Sequence, residues 1–229
     1  MIERIGLKEE GQILLPAIAN RMNKLPFAEV SEEVRIQLLE LLEVCLEADK
    51  YQFMAQLGAI GSMLARAAQD ENPEMKSKVA SFAGQLSREL PEKVGPYMKT
   101  CTDSLVRNLG HQHKNVRKGT LKGLRDVLSA RNAEVYMADC IKELKVVMND
   151  RSQDVRKTFY EVVRHWMTSM DIKSVRMFES TFILFLLNGI ADEVEEIARA
   201  CETFLEEHGA RMKDALQQLG EDEEMHSTN

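Results

Sequence analysis

In five separate segments of the chain, apolar residues recur at offsets of 0, 4, 7 and 11, the spacing of one face of a helix. The segments read EEVRIQLLELLEVC, NPEMKSKVASFAGQL, HKNVRKGTLKGLRDVL, SQDVRKTFYEVVRHW and ADEVEEIARACETFL, anchored at Val34, Met75, Val116, Val155 and Val194. Successive anchors stand 41, 41, 39 and 39 residues apart. Such a period is that of HEAT and armadillo helix pairs, whereas tetratricopeptide and ankyrin units repeat at about 33–34. Each segment is therefore expected to be the second helix of a repeat, with its apolar stripe turned inward.

The first helices show their own column. Leu64, Leu105, Leu144 and Ile183 stand eleven residues before their anchors, and Cys101 and Cys140 both stand fifteen before theirs. The two cysteines thus share one slot, expected to be buried. Pro73, Pro91 and Pro96 fall where helices should begin, and Ser31, Asp70, Asn115, Ser152 and Asp171 are placed to cap or turn. The pattern predicts an all-α fold, an α-α superhelix of HEAT/armadillo solenoid type with about five helix pairs. The array should cover 1–208, in repeats of about 10–48, 50–90, 91–131, 132–170 and 171–208. Residues 209–229 should begin a further helix and end in an acidic, disordered tail.

Composition sharpens this picture. Glycine (12) and proline (5) are scarce, in keeping with helix nearly throughout. A net charge of −7 argues against nucleic acid as the main partner. The four cysteines lie far apart without a Cys-x-x-Cys and read as reduced core thiols of an intracellular protein. The longest apolar run, 182–187, is far short of the roughly 20 residues a membrane span needs, so no membrane association is expected.

Chemistry is sparse. No Ser-His-Asp order, carboxylate pair or Cys-His pair has a setting that suits catalysis, and no cofactor is implied. His111 and His113 alone fall short of a metal ligand set. Gly58 and Gly61 lie in a helix with no P-loop lysine following, and are expected to let two helices approach closely. Trp166 occupies an inward column, and Met63, Met75, Met98, Met137 and Met148 fall on faces expected to be buried.

Two charged features remain. Residues 107–131 hold seven Lys or Arg against one acid, Asp126, in a chain that is acidic elsewhere. Lys114, Lys118, Lys122 and Arg125 align on the face opposite Val116 and, with Arg107, His111 and His113, form a candidate stripe for docking an acidic protein segment; the plain alternative is an ordinary solvated face. Arg35, Arg117 and Arg156 follow the anchors directly, each with an acid or amide before the anchor, as Asp154 before Val155. Arg35, Arg117, Asp154 and Arg156 are expected to form a structural ladder between repeats.

The runs LLPAIANRM, EEVRIQLLELLEV, ENPEMKSKVASFAGQLSRELP and LVRNLGHQHKNVRKGTL, with HQHxxVR at 111–117 and DRSQDVRKTFYEVVRHWM after it, carry a closer likeness. They resemble the HEAT-repeat assembly factor for axonemal dynein arms, over the amino-terminal half of that family's array. The fifth segment departs from the pattern, with Glu195 where Arg is expected. The resemblance implies a non-enzymatic cytoplasmic scaffold that helps load or stabilise dynein subunits. Its partners would be axonemal dynein chains or other assembly factors and chaperones, and it transfers no catalytic residue. Two other readings stand beside it: a general HEAT adaptor of phosphatase-scaffold or transport-receptor type, and an enzyme housed in a helical domain.

Overall fold

The computed structural model describes residues 7–227. Ten α-helices, and no strand, occur among them: α1 (Leu7–Met22), α2 (Glu32–Ala48), α3 (Leu57–Ala67), α4 (Pro73–Glu89), α5 (Lys99–Arg107), α6 (Lys114–Leu128), α7 (Met137–Met148), α8 (Gln153–Ser169), α9 (Ile172–Ile190) and α10 (Glu195–Ser227). They follow one another as five pairs, and the second helix of each pair carries one of the repeated segments.

Local chemistry sets several of the starts. Ser31 Oγ accepts from the Val34 amide at 3.3 Å to cap α2, and Asp171 accepts from Ser174 to cap α9. At α4 the cap is Asn72, whose Oδ1 takes the amides of Glu74 and Met75, with Pro73 in the first turn where its missing N–H costs nothing. Asn115, expected to cap, lies inside α6, because His113 holds the position before that helix.

The chain divides into two compact parts, residues 1–158 and 159–229, with the division inside α8. In the first part the helices lie in two layers: α1, α3, α5 and α7 pack side by side in one, and α2, α4 and α6 in the other. The most extensive helix packing is between α4 and α6. A Cβ on Gly123 would stand 2.4 Å from the Ala80 carbonyl oxygen, so the two backbones touch only because that side chain is absent. Gly61 likewise lies against the Tyr97 carbonyl, at 2.3 Å from an added Cβ, so its close approach is to the 3-10 turn Gly95–Tyr97 and not, as expected, to a second α-helix.

Burial follows the columns best in the middle repeats. Met75, Val79, Phe82 and Leu86 are buried along α4, as are Val116, Thr120, Gly123 and Val127 along α6. In α2 the buried set shifts by one residue, to Leu39, Leu42 and Leu46 beside Cys45. The doubled apolar positions 38/39, 41/42 and 45/46 make both registers apolar, and packing chooses between them. Cys101 and Cys140 are both buried. Met63, Met75, Met98 and Met137 are buried too, and Met148 is half-buried.

The second part is built on aromatic rings. Trp166 is fully buried and stacks on Phe182 at 5.9 Å between centroids, and Phe159 meets Phe185 edge-on at 5.2 Å. Arg211 of α10 donates to the carbonyls of Met167 and Met170, closing the end of α8. Residues 209–227, expected to open a new helix and then lose structure, continue α10 without a break. No helix among the described residues is long and apolar enough to cross a membrane.

Candidate functional site

A ladder of buried cations runs along the second-helix layer of the first part. Arg35 on α2 reaches into the loop before α4, where Nε and Nη2 donate to the Asp70 carboxylate at 2.7 and 3.1 Å. Its Nη1 donates to the carbonyls of Glu29 and Val30, and the guanidinium lies 4.8 Å over the Phe27 ring. Arg117 on α6 repeats the arrangement: it grips Asp150 in the loop before α8 at 2.5 and 2.8 Å, and its Nη1 donates to the carbonyls of His111 and Gln112. Both pairs are less than a tenth exposed.

Between them, Lys76 on α4 donates to Asn108 Oδ1 at 3.1 Å and to the Ala68 carbonyl, a weaker rung of the same geometry. Burial lowers the Lys76 pKa, and Asp70 opposes that shift. Each carboxylate also accepts an amide two residues on, Asp70 from Asn72 and Asp150 from Ser152, so the rung fixes the loop as well as the neighbouring helix. Arg156 is buried and donates to the Asp150 carbonyl, as Arg117 does to its own loop.

Asp154 links neighbouring repeats, as a ladder residue should, but through Lys114 and not through a ladder arginine. Asp154 lies on the surface, where it takes Lys114 Nζ at 2.8 Å; it is held below the usual carboxylate range by Lys114 and then by Lys118. Its place beside Val155 in sequence puts it on the outward side of α8, whereas the ladder draws its acids from the preceding loops.

The stripe is assembled only in part. Lys114 and Lys122 are exposed on α6, and Lys118 is half-buried. Lys118 and Lys122 make no hydrogen bond and no close ion pair among the described residues. Arg125 serves the fold: Nε and Nη2 donate to Asp126, a buried carboxylate that Arg88 of α4 also holds. His111 accepts the His113 amide on Nδ1 at 3.1 Å. Its pKa is lowered by burial first and then by Lys76, His113 and Arg117, so the ring is neutral near pH 7 and adds no charge to the stripe. Arg107 is on α5 and lines a groove in the other layer, together with Arg66 of α3. What remains is a compact row of three lysines, Lys114, Lys118 and Lys122, one of them anchored to Asp154.

Other chemistry is muted. Burial pushes the thiols of Cys101, Cys140 and Cys201 up to about 12, which keeps them protonated and poorly nucleophilic at neutral pH. Among the described residues no group of three or more His, Cys, Asp or Glu could hold a metal ion.

The chain shares its fold with a computationally designed armadillo repeat protein for modular peptide recognition, at a TM-score of 0.58 over 89% of this chain and 84% of that one, with 16% identity. This establishes the all-helical armadillo-type solenoid class that the 39–41-residue period predicts. Dynein axonemal assembly factor 5 of Xenopus laevis is 24% identical over 198 residues, and that of Mus musculus 22% over 200, each across 86% of this chain. The chain spans about a quarter of these relatives, 23% of each. A family model described as Dynein axonemal assembly factor 5-like, TPR repeats, matches residues 3–219. On that match, and in agreement with the motifs around His111–Arg117, the chain belongs to the dynein axonemal assembly factor 5-like family.

Proposed function

We propose that the chain is a non-catalytic protein-binding scaffold acting in the cytoplasmic preassembly of axonemal dynein arms, and that it docks an acidic segment of a dynein chain or co-assembly factor on α6. The observation that carries this reading is the lysine row of α6, in which Lys122 is exposed and neither Lys118 nor Lys122 makes a hydrogen bond or close ion pair among the described residues, in a chain whose net charge is −7. Family membership supplies the setting, and the helical-repeat fold supplies a long surface with few loops on which to build catalysis. Such a row would steer an acidic segment and fix its register more than it would add affinity.

Each exposed contact contributes only about 0.2–1 kcal/mol, so the test reverses Lys114, Lys118 and Lys122 to Glu together. Arg125 stays, because it holds the buried Asp126. Association with axonemal dynein subunits purified from ciliated cells, followed by biolayer interferometry, should slow at least tenfold, with the circular dichroism spectrum unchanged. The unmodified protein should lose association rate as salt rises and the Debye length contracts. An undiminished rate in the folded variant would show the row to be a solvated face. Equal association with unrelated acidic proteins would point instead to a general helical-repeat adaptor.

A further inference from the structure

The first-helix layer of the first part carries a second surface that the lysine row does not involve. Between α3 and α5 runs an open groove of about 480 Å³, lined among others by Ser62, Ala65, Gln69, Ser104 and two arginines, Arg66 and Arg107. Both arginines are exposed, and neither guanidinium has a hydrogen-bond or ion-pair partner among the described residues. The acid in the groove, Asp103, is already engaged by Lys99 at 2.6 Å. Gln69 is held in place, donating to the Ala65 carbonyl at 3.0 Å.

The arginines belong to successive repeats, one near the end of α3 and the other closing α5, so the groove has one from each helix that borders it. A guanidinium presents a planar fork of donors matched to a carboxylate. Two free forks, one from each bordering helix, with hydroxyls and an amide in the same groove, fit an extended chain that places a carboxylate on each and hydrogen-bonds its backbone to the polar lining. An apolar helix would leave those polar groups unpaired and desolvated, at a cost.

We infer that the α3–α5 groove is a second docking site, taking an extended Asp/Glu-bearing segment of a partner protein with its carboxylates on Arg66 and Arg107. The inference is independent of the lysine row, and the test keeps the two apart. The photo-crosslinking residue p-benzoylphenylalanine replaces Ser62 in the groove lining. The probe is a short fluorescein-labelled peptide of alternating aspartate and glutamate. Ultraviolet capture of this probe is expected, and it should fall at least tenfold in both Arg66→Gln/Arg107→Gln and Arg66→Glu/Arg107→Glu. It should persist when Lys114, Lys118 and Lys122 are reversed to Glu. Circular dichroism should report an intact fold throughout, since both arginines are exposed. Equal capture by the arginine variants, equal capture of the matching asparagine/glutamine peptide, or capture confined to a phosphoserine peptide would each overturn the assignment.

Discussion

Replacing Arg117 by methionine is expected to lower stability by about 3–5 kcal/mol, the cost of stripping one partner from a buried ion pair. The side chain lies at 6% exposure and its partner Asp150 at 7%, so the carboxylate left behind cannot recover its hydration. Two loop carbonyls, of His111 and Gln112, lose their donor in the same step. Against a total of about 5–15 kcal/mol for an ordinary domain, that loss is large. The companion variant Arg117→Met/Asp150→Leu removes both charges and should recover much of the deficit, because the penalty comes from the stranded carboxylate more than from the lost attraction. Urea unfolding followed by circular dichroism measures both. A single variant within about 0.5 kcal/mol of the parent would mean that the rung is not buried in solution.

In the second part, Trp166→Ala is expected to cost about 3–5 kcal/mol. The indole is fully buried and stacks on Phe182 of α9 with an interplanar angle of 26°, so its removal opens a cavity that the rigid rings of α9 cannot refill. Trp166→Phe keeps a ring in the stack and should cost markedly less. As the chain's single tryptophan, Trp166 also reports on itself: the parent's emission should be blue-shifted and should move to the red across unfolding. A melting curve unchanged by Trp166→Ala would show that this column does not face the core.

The repeated fold was legible because a helix face must be apolar at every turn and a stacked repeat must do so again at a fixed interval. Val116, Val127, Leu105 and the Cys101/Cys140 slot all follow from that arithmetic, and all are buried. The ladder was half legible. Its cations ride on helices, so Arg35 and Arg117 keep their place after the anchor. Its acceptors come from the segments before the next helix: the acids Asp70 and Asp150 both stand five residues before the next anchor, but the middle rung uses the amide of Asn108, eight before. The offset of five is shared by Asp70 and Asp150 but broken at the middle rung, and the assignment went instead to Asp154, the residue directly before its anchor.

The stripe failed in a related way. Helical spacing correctly aligned Lys114, Lys118 and Lys122, but spacing along one helix says nothing of what packs beside it. Asp126, next to Arg125 on α6, is buried where Arg88 of α4 also holds it, and the place of Arg107 beside Arg66 depends on the packing of α3 and α5. The Arg66–Arg107 groove itself was open to discovery from sequence, since both residues lie near the ends of first helices in successive repeats, 41 positions apart.

The proposal that the chain acts in dynein-arm preassembly is tested most directly by counting arms. Cross-sections of axonemes from ciliated cells lacking the protein should show microtubule doublets without dynein arms, while the cells grow normally and the unassembled dynein chains are degraded or stranded in the cytoplasm. Doublets with a full set of arms in those cells would contradict it.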